Sequence, residues 1–221
     1  MKLFAEALAK FACGFLLVGL LIFLPAGTLA YTYGWFLMAL LFAPMFAAGI
    51  FMIFKAPDFL KKRLDAKEKQ KAQKGVLAFS GLMFIGGFVV AGLDYRFSWS
   101  KMPVWVVITA GVLFLVAYVL YAEVMRENAY LSRTIKVEEG QTVVDTGLYG
   151  IVRHPMYAVT ILLFLMIPLV LGSWFALIIF AFYPAIIVVR LKDEEELLTR
   201  ELAGYEAYKK KVRYRLIPFV W

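Results

Sequence analysis

The sequence predicts an all-α membrane bundle of about six spans, ending in a helical hairpin and a polar C-terminal segment. Three observations carry this. Of 221 residues, 63% are hydrophobic and 17% aromatic, and the mean hydropathy is +0.78, far from the near-even balance of globular domains. The apolar residues fall in runs long enough to cross a bilayer. The net charge of +8 comes from Lys and Arg placed between those runs, which fits the positive-inside rule and not a nucleic-acid groove.

The spans follow in order. A first run, about 11–30, is closed by Pro25-Ala26-Gly27, and a second, about 34–54, carries Pro44 as an expected kink. Tyr31-Thr32-Tyr33 between them puts aromatic rings at an interface. Lys2 and Lys10 before the first run imitate a signal peptide, but more spans follow, so it reads as a retained helix. The stretch 55–74 holds eight basic residues against Asp58, Asp65 and Glu68. It reads first as a cytoplasmic loop or surface helix, a reading compatible with a grip on anionic headgroups. The third span, about 76–93, carries Gly81, Gly86, Gly87 and Ala91 as a small-residue stripe for close packing. Pro103 opens the fourth, about 103–121, at a first-turn position. The polar stretch 132–144 reads as an ordered connection. The final pair, 156–171 and 174–189, hinges at Gly172-Ser173, with Pro168 and Pro184 as expected bends. Each arm has 16 residues, about 24 Å of helix, short for a hydrocarbon core of about 30 Å. Residues 1–129 are therefore expected to be scaffold and 130–221 the working part. Both termini and the site are expected to face the cytoplasm.

Two polar clusters flank the hairpin. In Arg153-His154-Pro155, proline pre-sets the first helical turn and leaves amide groups open, which suits an anion; an ordinary helix cap with an interface-anchoring arginine accounts for it as well. Arg190 and Glu194 share a helix face. They read either as an intrahelical ion pair or as holders of two ligands, arginine for a carboxylate and glutamate for a hydroxyl or an amine. One cysteine, Cys13, and one histidine, His154, exclude an intrachain disulfide and a Cys/His metal centre.

Taken together, Thr142-Val143-Val144-Asp145-Thr146-Gly147-Leu148-Tyr149, Arg153-His154-Pro155-Met156-Tyr157, Arg190 with Glu194-Glu195-Glu196, Gly204-Tyr205-Glu206-Ala207-Tyr208 and Val212-Arg213-Tyr214-Arg215-Leu216-Ile217-Pro218 resemble the isoprenylcysteine carboxyl methyltransferase family of integral membrane enzymes. The resemblance covers about residues 130–221. It implies S-adenosylmethionine as methyl donor in a cytoplasm-facing pocket. It also implies cofactor contacts from Gln141, Thr142, Val143 and Val144 on a strand-like wall. Further cofactor contacts are implied from Tyr149, His154, Pro155, Met156, Tyr157 and Glu194. The family opens that wall with histidine where this chain has Gln141.

Arg190 corresponds to the substrate-side arginine, and Arg153 is expected to tune charge near the donor. The acceptor is lipophilic: a carboxylate, already ionised, would need alignment, whereas a phospholipid amine would need a base, Glu194 or Glu195. A membrane sterol or enone reductase using NADPH is the rival enzyme. A scaffold or transporter is the non-enzymatic rival, though no inverted repeat or mid-span charge supports a transporter.

Overall fold

The computed structural model describes residues 2–64, 71–131, 137 and 139–221, and among these the chain is helical with no strand. Residues 65–70 of the basic stretch, and 132–136 and 138 of the polar connection, lie outside the described residues. The helices are α1 (Lys2–Ala26), α2 (Thr32–Lys55), α3 (Pro57–Leu64), α4 (Lys71–Phe97), α5 (Val104–Glu127), α6 (Pro155–Val170), α7 (Trp174–Phe180), α8 (Tyr183–Glu201) and α9 (Tyr205–Lys211), with a 3-10 turn at Gly147–Gly150.

Five stretches are long and apolar enough to cross a membrane: Leu3–Ala26, Thr32–Lys55, Gly75–Phe97, Val104–Glu127 and Trp174–Glu201. The fifth expected span is α6, an apolar helix of 16 residues, about 24 Å long. The last arm is broken, not merely bent. α7 stops at Phe180, and Pro184 sits in the first turn of α8, where its missing amide is harmless. α2 instead continues through Pro44. Pro103 is the residue before α5, extended at ψ 140°, and the helix starts at Val104.

Helix ends are set locally. Gly27, at φ 70°, closes α1 by donating its amide to Phe23, a left-handed cap that glycine adopts without strain. Trp35 Nε1 then donates to Leu29 O at 2.8 Å and fixes the turn into α2. α6 packs most extensively against α5, α4 fills the groove between α1 and α7, and α2 leans on α1 and α5. Across this seam Phe84 meets Phe164, Phe180 and Tyr183 edge-on or tilted, the geometry that ring quadrupoles favour.

The small-residue stripe on α4 is only partly an interface. Gly81 and Gly86 face open space, whereas a Cβ on Gly87 would meet the Phe180 ring at 2.4 Å. The closest approach to backbone along this stripe's helix is at Gly92, where a Cβ would meet Ile22 O of α1 at 2.5 Å and Ala26 N at 3.0 Å. Backbone cannot yield as a side chain can. Gly92→Ala is therefore expected to lower unfolding free energy in detergent by about 1–3 kcal/mol. Gly81→Ala is expected to leave it unchanged within about 0.5 kcal/mol, and paired denaturant titrations check both.

Candidate functional site

The site is assembled by bringing three distant pieces of chain to the start of α6. Pro155 holds the first helical position, and His154 precedes it at φ −125°. The C-terminal segment runs alongside: Arg153 N donates to Tyr214 O at 2.8 Å and His154 N to Arg215 O at 2.9 Å. The Arg153 guanidinium also reaches the carbonyls of Val212 at 2.9 Å and Arg213 at 2.8 Å.

Glu195 on α8 joins all three. Its Oε1 accepts from Arg153 Nε at 2.7 Å and lies 3.3 Å from His154 Nε2; its Oε2 accepts from Arg215 Nε at 2.8 Å. Arg153, His154 and Glu195 are all buried. The anion that the Arg153-His154 cluster attracts is therefore this internal carboxylate. Two guanidinium groups around one acid leave local positive charge beside the cavity.

One turn away, Tyr157 links the hairpin's two arms. Its hydroxyl donates to Glu194 Oε2 and accepts from Arg190 Nε at 3.1 Å. Arg190 and Glu194, four residues apart on α8, are thus joined through a hydroxyl from α6.

Above them the chain from the end of α5 forms the opposite wall. Asn128 Nδ2 donates to the Tyr149 hydroxyl at 3.0 Å, and Tyr208 Oη donates to Tyr149 O at 2.7 Å. Thr146 Oγ1 donates to Glu127 Oε2 at 2.7 Å, and Lys211 pairs with Asp145 at 2.6 Å. Gly147, at φ 53°, lies where a Cβ would meet the Glu127 side chain at 2.8 Å, so the turn admits only glycine comfortably.

These walls enclose a cleft of about 840 Å³, counting the part continuous with solvent. Gln141, Thr142, Val143, Val144, Tyr149, Arg153, His154, Met156, Tyr157, Arg190 and Glu194 all line it. Of the site residues expected from the sequence, Pro155 and the alternative base Glu195 do not. The 141–144 wall is irregular chain, with no strand among the described residues.

Sequence reasoning gave no role to Asn128, Tyr130 and Leu131 from the α5 end, Leu198 and Leu202 from α8, or Tyr205 and Tyr208 from α9, which complete the lining. Only the two tyrosines carried a signal, since their three-residue spacing puts both on one helical face. Glu195 was weighed only as a base, and its role as a junction was invisible.

Burial raises the Tyr149, Tyr205 and Tyr208 phenols well above their ordinary range, and nearby Glu195 and Glu194 push Tyr205 further. They are neutral hydrogen-bonding groups here, not bases. Lys211 hydrogen-bonds Asp145 and holds its carboxyl below the usual range.

Residues 105–200 match the model of the isoprenylcysteine carboxyl methyltransferase (ICMT) family, which bears out the resemblance read from the C-terminal third. The chain is 33% identical over 101 residues to the uncharacterized protein YpbQ of Bacillus subtilis (strain 168), covering 45% of this chain and 60% of that protein. It is 32% identical over 91 residues to the Delta(14)-sterol reductase TM7SF2 of Mus musculus, covering 40% of this chain and 22% of the reductase. The chain thus spans less than two thirds of both relatives.

Removing Glu195 would leave Arg153 buried without its counter-charge, a loss of about 3–5 kcal/mol for a buried pair. Glu195→Ala is expected to show that drop in equilibrium unfolding, whereas Asp145→Ala, at an exposed pair, is expected to leave the unfolding midpoint essentially where it is.

Proposed function

We propose that this multi-pass membrane protein of the methyltransferase type transfers a methyl group from S-adenosylmethionine to the carboxylate of a lipophilic acceptor, such as an isoprenylcysteine-like group. The observation that carries this reading is the Arg190–Tyr157–Glu194 chain of hydrogen bonds on one wall of a cleft whose other wall is Gln141 to Val144. When bound, S-adenosylmethionine supplies an electrophilic methyl group on a sulfonium.

The donor set fits such a group. Val143, Val144, Leu198 and Leu202 offer apolar surface to a flat base, while Asn128, Gln141 and Thr142 offer hydrogen-bonding atoms. Glu194 keeps lone pairs for a ribose hydroxyl or an ammonium beyond the one that Tyr157 occupies.

Arg190 has the planar fork that grips both oxygens of a carboxylate. Its Nε is held by the Tyr157 hydroxyl, so its direction is fixed before an acceptor arrives. Catalysis by positioning of this sort needs alignment and no strong base. That agrees with the groups present: Glu195 is engaged by Arg153 and Arg215, and the Tyr149, Tyr205 and Tyr208 phenols stay neutral. An amine acceptor would need a base that this set does not supply well. Arg153 acts at one remove, holding the α6 start and adding positive charge beside the cleft.

We place the cleft on the cytoplasmic side. Lys10, Lys55 and Lys61 lie at the same end of the helices as Glu127 and Pro155, whereas the opposite turns carry only Arg96 and Lys101; this charge bias supports the orientation.

Radiolabelled methyl transfer into a panel of prenyl-cysteine and lipid acceptors tests the reaction, and calorimetry with S-adenosylhomocysteine and with NADPH tests the cofactor. Binding of NADPH in place of S-adenosylhomocysteine would favour reductase chemistry and sink the reading. Arg190→Ala is expected to cut turnover about a hundredfold or more while S-adenosylhomocysteine affinity stays within about threefold; a parallel loss of both would remove Arg190 from the acceptor side. Tyr157→Phe is expected to cost about tenfold in turnover, since it frees a hydrogen bond to charged partners.

A further inference from the structure

The far end of the bundle holds a second recess, independent of the cleft. α5 runs 24 residues from Val104 to Glu127, about 36 Å, so Met102 and Asn128 lie at opposite ends of it. Near Met102 the last turn of α4 meets the turn between α6 and α7, and Asp94 sits between them at 2% exposure.

Asp94 Oδ1 accepts from Ser100 N at 2.6 Å; Oδ2 accepts from Ser100 Oγ at 2.6 Å and from Ser173 Oγ. Among the described residues no cationic side chain pairs with it. A carboxylate withdrawn from water without a counter-charge is expensive, and three donors leave roughly one of its lone-pair sites open.

The walls of the recess are aromatic. Tyr31, Tyr33 and Tyr95 line it beside Asp94, Ser98 and the exposed Lys101. Tyr31 stacks on Tyr95 with ring centroids 4.1 Å apart, and its hydroxyl is already committed to Leu171 O. Tyr33 lies against the turn at Gly172, where a Cβ would meet its ring at 2.9 Å. Ser98 adopts φ 53°, a strained conformation for a non-glycine residue, in the turn that returns Ser100 to Asp94. Around this end Phe97, Trp99 and Trp105 are exposed, the aromatic signature of the level where headgroups lie.

We propose that this recess binds the headgroup of a zwitterionic phospholipid, its ammonium among Asp94 and the tyrosine rings and its phosphate against Lys101. Ring faces attract an ammonium, and a buried carboxylate supplies the charge that an isolated aromatic box lacks. The single lysine makes the complement to the phosphate. An anionic headgroup would bring negative charge to Asp94 and is disfavoured.

The full-length protein is extracted from vesicles of equal parts phosphatidylethanolamine, phosphatidylcholine and phosphatidylglycerol, and co-purifying lipid is quantified by mass spectrometry. Retention of either or both zwitterionic lipids over phosphatidylglycerol is expected, and which of them is kept distinguishes a primary from a quaternary ammonium. Asp94→Asn is expected to lower that preference about tenfold, the equivalent of about 1.4 kcal/mol. Lys101→Gln and Tyr33→Leu are expected to lower it while sparing the Asp94 hydrogen bonds, and they decide the matter if Asp94→Asn does not fold. Equal retention of the three lipids, a preference for phosphatidylglycerol, or a ratio unchanged in Lys101→Gln and Tyr33→Leu overturns the proposal. A lowered melting temperature in Asp94→Asn with the wild-type lipid ratio also overturns it, leaving the cluster a clasp between turns.

Discussion

The carboxylate of Glu195, surrounded by Arg153, His154 and Arg215, is the contact on which the working end of this protein depends. It fastens α8, the first residues of α6 and the C-terminal segment at one buried point. The short α6–α7 turn at Gly172 already makes the hairpin arms neighbours at the other end. At the polar ends the Glu195 junction, with the neighbouring Tyr157 contacts to Arg190 and Glu194, holds those arms in register. A buried charge cluster tolerates few geometries, because each group must find its partner or remain desolvated alone. That intolerance is useful where side chains of a site must be held within a fraction of an ångström.

From this junction the rest of the cleft follows by short steps. Fixing α8 against α6 brings Tyr157 between Arg190 and Glu194. Fixing the C-terminal segment brings α9 over the top, where Tyr208 reaches the Tyr149 carbonyl and Tyr205 approaches His154. Behind these groups stand the membrane helices α1, α2 and α4, with α4 packed against α6, α7 and α8. They supply a rigid frame through close contacts such as Gly92 on Ile22 and the ring cluster around Phe84. The bundle is thus polar at both ends, with a cation-rich cleft at one and an isolated buried acid at the other.

The fold class was legible because lipid admits so few solutions. Long apolar runs must become helices, since no other open arrangement satisfies backbone groups in hydrocarbon. Proline and glycine at the turns then fix where α1 and α6 begin or end. The breaking of the last arm into α7 and α8 was not legible, because Pro184 permits a bend and a fresh start equally. The stripe on α4 misled in part: small residues allow close approach on any face, and only the position of α1 and α7 selects Gly92 and Gly87 over Gly81 and Gly86.

By itself the sequence determined which groups were available and roughly where along each helix they stood, because charge, aromaticity and apolar length are properties of the residues themselves. The family resemblance, not those properties, marked out the residues of the site, and eleven of them line one cleft. Tertiary structure alone decided how those groups pair. Glu194 and Glu195 are adjacent and chemically identical, yet one meets a tyrosine hydroxyl and the other two arginines and a histidine. The reason is rotational. Successive residues on a helix point about 100° apart, so which neighbour each acid meets depends on segments such as those 42 residues upstream and 20 downstream, whose positions no local pattern records.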